Sequence, residues 1–312
     1  MHAPTFCDRR GGVIVKSDFA ALLALGAALF IAFGDVFHQR SAHDVTDQPV
    51  GHLELLMRLL RDRQWWLGTL VAAIGFALQA AALGLGSVLL VQALLVSALL
   101  FALPLSARLA HRSVTRWEWL WAAVLASSVA VIVTIGNPQA GQSRASLETW
   151  IAVVAVLAPA LVLCMLGARV WSGWVSAVLL AVASGTMWGV FAVLTKGVVG
   201  RLDDGLLAVV RSPELYAWGL VAIAGTALQQ SSFRAGTMTA SLPTMTVAEP
   251  VVASILGVVV LGETLKTNDT GRFVLGLAIA AMVVATVALA RGQALSAGST
   301  AKAEAAASVK TC

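Results

Sequence analysis

Apolar stretches of about twenty residues recur along the whole chain, and this feature limits the possible folds more than any other. Each stretch is long enough to cross the hydrocarbon layer of a bilayer as an α-helix. Only 12% of the 312 residues are charged, whereas a soluble domain averages about 25%. Strands of a membrane barrel alternate in polarity over about ten residues, and these stretches do not. The sequence therefore predicts an all-α polytopic membrane protein that has the lipid bilayer as its partner.

Hydropathy predicts about nine transmembrane helices and two shorter amphipathic pieces between them. The amphipathic pieces, 51–62 and 203–215, are expected to lie in the membrane interface. Residues 1–17 are predicted to be a polar tail and residues 292–312 a disordered tail. We expect a multi-pass protein of the cell membrane (inner or plasma membrane). The predicted spans are 18–40, 65–84, 87–107, 117–136, 149–168, 174–197, 215–234, 237–262 and 271–291.

An internal repeat is visible in two of these spans. The segments "VAAIGFALQ" (71–79) and "VAIAGTALQ" (221–229) align without gaps, and each follows an amphipathic piece. The repeats are predicted to be 18–136 and 174–291, joined by a linker, 137–173, that holds one extra span. Matching helices are then five crossings apart, so the two repeats face opposite ways. Inverted repeats of this kind are typical of secondary transporters, which bind substrate near the middle of the membrane.

Glu249 is an acidic residue at membrane depth, flanked by two prolines. A charge at this depth costs roughly 2.5–3.5 kcal/mol, so it usually faces protein or a water-filled cavity. The prolines free backbone carbonyls, and helical spacing places them on one face with two threonines. Glu249 is a candidate binding and proton-coupling group, or alternatively it bonds to a neighbouring helix. The residues that share the stripe are Thr239, Pro243, Thr246 and Pro250.

Other polar residues in the spans are candidate lining groups. Gln79, Gln92, Gln229 and Gln230 could line a cavity or join helices to each other. Trp188 lies between Gly185 and Gly189, a pair that permits close helix packing; it could stack on a substrate or pack within the bundle. Asp35 belongs to a polar cluster at the end of the first span. Lys196 is counted among the loop residues, whose charge bias favours an outside N-terminus.

Several function classes lack their sequence motifs. There is no phosphate-binding loop, dinucleotide fingerprint, zinc-spaced His/Cys set or nucleophile elbow. Three scattered cysteines do not form a disulfide framework. The formal charge of +5 reflects loop composition rather than affinity for nucleic acid. We therefore expect no enzyme activity, no cofactor and no nucleic-acid partner, and a homodimer is left open.

In the last third of the chain, the segment "AEPVVASILGVVVLGETL" (248–265) has the pattern of a proline-bearing helix that ends in Gly262 and Glu263. This segment resembles the drug/metabolite transporter superfamily of EamA-like proteins. The segment "ALQQSSFRAGTMTASLPTMTVAEPV" (227–251) is similar to the NIPA-type magnesium transporter branch. The first repeat retains Pro104 but has no Gly-Glu after it. The resemblance implies a transporter without naming its substrate.

Three functions follow as alternatives. The first is a secondary transporter of a small polar or amphiphilic metabolite, with a midplane cavity around Glu249. The second is a magnesium transporter of the NIPA type, in which Glu249 would be the metal ligand, since Mg²⁺ prefers oxygen ligands. The third is a membrane scaffold that transports nothing.

Overall fold

Long α-helices make up almost all of the structure. The computed structural model describes the backbone of residues 6–45, 63–109, 113–235 and 238–310. Two short strands, β1 (Pro138–Gln139) and β2 (Thr264–Leu265), pair in antiparallel fashion. A 3-10 turn covers Leu202–Asp204. The helices are α1 (Phe6–Val45), α2 (Arg63–Leu85), α3 (Val88–Leu95), α4 (Ala98–Leu109), α5 (Arg116–Gly136), α6 (Leu147–Val170), α7 (Trp174–Val199), α8 (Leu206–Val210), α9 (Pro213–Ala235), α10 (Met238–Leu261) and α11 (Asp269–Lys310).

The length and composition of these helices confirm an all-α multi-pass membrane protein. Within the described residues, eight segments are long and apolar enough to cross a membrane. The predicted span 215–234 coincides with α9, which has 23 residues but is less apolar because it carries several polar side chains. The predicted span 87–107 is one membrane segment made of two helices, since α3 ends at Leu95 and α4 begins at Ala98.

The terminal helices extend into both predicted tails. The first helix already begins at Phe6, and α11 continues to Lys310 instead of ending near residue 291. The segment 292–310 is rich in alanine, the residue with the highest helix propensity, and it extends an existing helix without a new nucleation step. The predicted amphipathic piece 203–215 is the 3-10 turn followed by α8, and the piece 51–62 lies outside the described residues.

The helices pack in the same way in the two predicted repeats. In the first, α1 packs on α2 and on the α3–α4 segment; in the second, α7 packs on α9 and on α10. The α5 and α11 helices pack against each other, and Gly136 at the end of α5 lies against Leu275 near the start of α11. Small buried side chains such as Ala20, Ala82 and Ala253 let the helices approach closely.

The α6 helix, which is the extra span of the predicted linker, lies at the edge of the bundle. It packs mainly on α7, and only 6% of its membrane-spanning window is buried inside the protein. Large apolar side chains such as Ile151, Leu163 and Val170 are exposed on it. In a membrane protein this surface faces lipid, so the core of the bundle is formed by the two four-segment groups on either side of α6 in the sequence.

Candidate functional site

A buried carboxylate, that of Glu263, lies where the end of α10 meets the first turn of α3. Gly262 ends α10 with a φ of 65°, a left-handed conformation that glycine adopts without steric cost. This turn lets the backbone N–H of Glu263 donate to the carbonyl of Gly257 at 3.0 Å. The Glu263 side chain folds back into the bundle and is 1% exposed. The Gly-Glu pair therefore places a charge inside the protein just beyond the helix.

The Glu263 carboxylate has partners from both predicted repeats. Its Oε1 accepts from the backbone N–H of Val88 at 2.7 Å, and its Oε2 accepts from that of Leu89 at 3.0 Å. The Lys196 ammonium of α7 donates to Oε1 at 2.6 Å and is itself only 4% exposed. Free N–H groups at a helix start favour negative charge, and Lys196 neutralises it. We call Glu263, Lys196 and the Val88–Leu89 amides the Glu263 cluster.

The loop between α5 and α6 covers the Glu263 cluster. The Gln142 backbone N–H donates to the carbonyl of Leu261 at 2.7 Å. Gly141 passes so close to the same carbonyl that a Cβ at this position would overlap it. The loop also carries β1, which pairs with β2 just after Glu263. The cluster is thus enclosed by α3, α7, α10 and this loop.

Two further ion pairs lie at the same end of the bundle. Arg201 donates to Glu214 at 2.9 Å, and both side chains are largely buried. Arg144, from the covering loop, donates to Asp204 and to the carbonyl of Gly200. These pairs fasten the end of α7 to the start of α9 and to the loop. This end of the bundle, the Glu263 end, is therefore closed by charged contacts.

Glu214 lies just before the predicted span 215–234. Because its pKa is shifted in the folded protein, the free energy of unfolding depends on pH. Burial alone would raise its pKa, but the hydrogen bond from Arg201 and the charges of Arg201 and Arg144 outweigh burial and hold the pKa below its ordinary value of 4.5. A carboxyl with a lowered folded pKa stabilises the protein above its unfolded pKa, and this contribution is lost as pH falls through the folded pKa.

We therefore expect the melting temperature of the wild-type protein in detergent to fall more steeply than that of Glu214→Gln as the pH is lowered from neutral to below 4.5. Melting curves of the two proteins over this range test the prediction. Parallel pH profiles would show that the Arg201–Glu214 pair contributes nothing. The exposed Glu148→Gln variant is the control and is expected to follow the wild type.

Glu249 lies at the crossing of α7 and α10. A Cβ at Gly185 would lie 2.6 Å from the Cβ of Ala248, and one at Gly189 would lie 3.0 Å from the carbonyl oxygen of Glu249. The close packing predicted for the glycine pair is thus present. The Glu249 side chain is half-buried. Pro243 and Pro250 are buried on the same helix, and the Thr246 hydroxyl donates to the carbonyl of Leu242 at 2.7 Å.

Gln92 is buried in α3 and carries an unused hydrogen-bond donor. It is 2% exposed, and its Nε2 has no partner among the residues that the structure describes. Val88, one turn earlier, packs on Gly257 of α10. Because residues four apart share a helix face, Gln92 also faces α10, one turn closer to Glu249. Gln79 of α2 is likewise buried, at 8% exposed.

The remaining predicted site residues divide between packing and surface positions. Trp188 Nε1 donates to Gln229 Oε1 at 3.2 Å, and its ring meets that of Phe191 edge-on at 5.2 Å. Phe191 in turn stacks on Trp218, so Trp188 belongs to an aromatic group at the contact of α7 and α9. Gln230 is exposed on α9. It therefore does not join the other candidates inside the bundle.

Two candidates are placed by their backbone alone. Asp35 lies in α1 and Thr239 in the first turn of α10, and the side chains of both fall outside the described residues. In the part of the chain whose side chains are described, no three acidic, His or Cys residues converge as a metal-binding group.

Two hollows of the described structure lie away from Glu249. One is small and lies at the Glu263 end, where Arg144, Trp150 and Glu214 line it. The other is an open apolar groove of about 460 Å³ between α5 and α11. The expected midplane cavity around Glu249 is neither of these.

The sequence interpretation missed the Glu263 cluster. Lys196 was expected in a loop, but it lies in the last turns of α7 and is buried, because its ammonium reaches the Glu263 carboxylate. The Gly-Glu pair was noted as a motif without a role. A lysine inside a span and an acid just after another span were the available signals, since buried charges are normally paired.

Comparison with known proteins places the chain in a family. It is 36% identical over 291 residues to an uncharacterized protein of Corynebacterium glutamicum, and the match covers 90% of this chain and 97% of that protein. The chain belongs to the family of this corynebacterial protein. This similarity leaves the activity of the family open. No family profile matches the chain, and no solved structure matches it.

Proposed function

We propose that this chain is a secondary transporter of a small polar or amphiphilic metabolite, and that it works by alternating access between two inverted repeats. The observation that carries the proposal is that helices at matching positions of the two predicted repeats run in opposite directions. The nine-span topology and the drug/metabolite transporter resemblance are parts of the same proposal.

The directions of the helices support inversion. At the Glu263 end, α3 begins beside Val88 while its counterpart α10 ends at Leu261. Likewise α5 ends at this end of the bundle where α11 begins, and Glu118 at the start of α5 lies near Gly292 far along α11. The α2 helix ends near Val199, at the end of the bundle where α9 begins with Glu214. Inverted repeats arranged in this way are typical of secondary transporters.

A break in one central segment and two prolines in the other support a binding site between them. The α3–α4 segment is interrupted at Val96 and Ser97, where the Ser97 N–H donates to the carbonyl of Leu94 at 3.0 Å, a tighter turn than an α-helix has. Its counterpart α10 is one continuous helix that contains Pro243 and Pro250. Hydrophobic segments that are short or interrupted by glycine or proline at corresponding positions of two repeats commonly mark the substrate site of a transporter.

We assign the substrate contacts to Glu249 and Gln92. Gln92 has a buried donor without a described partner, a state that costs about 1–3 kcal/mol unless a ligand or a second conformation satisfies it. Glu249 lies at the crossing of α7 and α10, and its half-buried side chain would supply a carboxylate to the substrate. A solute that carries both an acceptor, such as a carbonyl or hydroxyl oxygen, and a donor, such as an amine, fits this pair of groups.

The test is reconstitution with matched variants. The purified protein is first screened by thermal shift against amino acids, amines, organic acids and nucleosides, since a ligand of the folded state raises the melting temperature. Compounds that do so are then assayed by counterflow in proteoliposomes. We expect Glu249→Gln and Gln92→Leu to lower the initial rate roughly ten- to a hundredfold, the equivalent of about 1.5–3 kcal/mol for a lost charged hydrogen bond.

The control variant is Gln230→Ala, which changes an exposed glutamine of α9. Its counterflow rate is expected to stay within about twofold of the wild type, as is usual for surface positions. Full transport by the Glu249→Gln and Gln92→Leu variants would disprove the assigned site. Absence of any counterflow by the wild type with compounds that bind would count against the transporter itself.

A further inference from the structure

We propose that the Glu263 cluster is the gate that closes one end of the transport path, and that it opens by separation of α3 from Glu263 while the Lys196–Glu263 pair stays intact. The inference rests on the proposed transporter function. It gives a role to a lysine and a glutamate that neither the sequence motif nor the family assigns.

The partners of the Glu263 carboxylate divide between the repeats, and this division decides which bonds break. Val88 and Leu89 belong to α3 of the first repeat, whereas Lys196 and Glu263 both belong to the second. Rocking of one repeat against the other therefore breaks the two amide hydrogen bonds and leaves the ion pair together. Because Lys196 accompanies the carboxylate, no unpaired charge remains inside the bundle when the gate opens.

The position of the cluster relative to the proposed substrate site fits a gate. Glu249 lies twelve residues before Leu261 in α10, which corresponds to about 18 Å along the helix axis. Gln92 of α3 lies between the two levels and faces α10. The Glu263 cluster thus closes the contact between α3, α7 and α10 at the Glu263 end, on one side of the groups assigned to substrate. The loop through Gly141 and Gln142 covers the cluster at this end.

The absence of a side chain at Gly257 leaves space for the Glu263 carboxylate in the closed state. A Cβ at this position would lie 2.9 Å from Glu263 Oε2 and 3.4 Å from the Cβ of Val88. A Gly257→Ala variant keeps every charge of the cluster but pushes the carboxylate away from the α3 amides. It therefore tests the geometry of the gate separately from its charge.

The experiment measures access to Val88, which is 0% exposed in the closed cluster. In a chain whose Cys7, Cys164 and Cys312 are changed to serine, Val88→Cys provides a thiol without altering the backbone amide. A membrane-impermeant maleimide is applied to proteoliposomes that contain the protein in both orientations. We expect labelling in the Glu263→Gln and Gly257→Ala backgrounds to be faster by about tenfold or more, the factor that corresponds to 1.4 kcal/mol.

Two reporters distinguish gate opening from unfolding. Lys266→Cys, exposed at the same end, is expected to label quickly in every background. Ala285→Cys, buried in α11 at 0% exposed, is expected to stay unlabelled unless the bundle unfolds. Faster labelling at Val88→Cys with unlabelled Ala285→Cys supports the gate. Equal labelling rates in the wild-type, Glu263→Gln and Gly257→Ala backgrounds overturn it.

A charge exchange tests the part played by α3. In Lys196→Glu combined with Glu263→Lys, the ion pair can form again, but a lysine at position 263 cannot accept hydrogen bonds from Val88 and Leu89. Its positive charge also opposes the start of a helix. We expect Val88→Cys to stay fast-labelling in this double variant, and a return to the slow rate would overturn the assignment. Labelling needs no substrate, so it tests the gate independently of transport. The gate proposal can be disproved while counterflow supports the transporter, and the transporter can be disproved while labelling supports the gate.

Discussion

Replacement of Glu263 with alanine is expected to lower the free energy of unfolding by about 3–5 kcal/mol, the usual cost of removing one partner from a buried ion pair. The variant leaves the Lys196 ammonium buried without its counter-charge and removes the acceptor of two helix-starting N–H groups. Denaturation of the purified protein in mild detergent, followed by tryptophan fluorescence, measures the change.

The control for this prediction is the exposed pair of Asp269 and Arg272, whose side chains are 97% and 73% exposed. Asp269→Ala is expected to change the free energy of unfolding by less than about 1 kcal/mol, since surface ion pairs contribute little. In a double-mutant cycle, Lys196→Met with Glu263→Gln should cost less than the sum of the single changes, because the two groups interact directly. Strict additivity, or a loss below about 1 kcal/mol for Glu263→Ala, would contradict the buried pair.

Replacement of Gly189 with alanine is the second change for which a large effect is expected. Glycine to alanine inside a helix normally stabilises by roughly 0.5–1 kcal/mol. At Gly189 the added Cβ would instead lie 2.9 Å from the backbone nitrogen of Ala253 and 2.9 Å from the Cβ of Val252. Backbone atoms of α10 cannot move aside without separating two helices, so we expect a loss of about 1–3 kcal/mol.

The same substitution at Gly276 provides the matched control. This glycine lies on α11 with no atom within 4 Å of where its Cβ would be, so Gly276→Ala should be neutral or stabilising. Opposite signs for the two variants in the same detergent denaturation would confirm that close backbone packing, and not helix propensity, decides the outcome at Gly189. A stabilising Gly189→Ala would show that α7 and α10 do not cross as closely as described.

The α7–α10 crossing is a part of the fold that the sequence predicted well. The spacing of Gly185 and Gly189 predicted a close helix approach. The two prolines of α10 predicted a helix that lacks two backbone hydrogen bonds. Both features are local, because a missing side chain or a missing N–H acts at its own position. The partner helix was not predictable in this way, since a glycine pair does not specify what packs against it.

The candidate site was predictable only in part, because the sequence shows which residues are polar but not which of them face the interior of the bundle. Gln92 and Glu249 were identified as candidates because polar residues in apolar spans are conspicuous. Gln230 was equally conspicuous, yet it is exposed, because one turn of a helix contains both inward and outward positions. Trp188 was open between substrate and packing roles, and its hydrogen bond to Gln229 and contact with Phe191 place it in the packing of α7.

The sequence by itself determined the membrane environment, the helical class and the approximate limits of most spans, because a bilayer requires apolar helices of a set length. Tertiary structure alone decided that Lys196 is buried and that the Glu263 carboxylate accepts hydrogen bonds at the start of α3. Glu263 and its partner Val88 are 175 residues apart in the sequence. The physical reason is that burial of a charge depends on its partner. The position of that partner follows from the packing of the whole bundle, and no local pattern contains it.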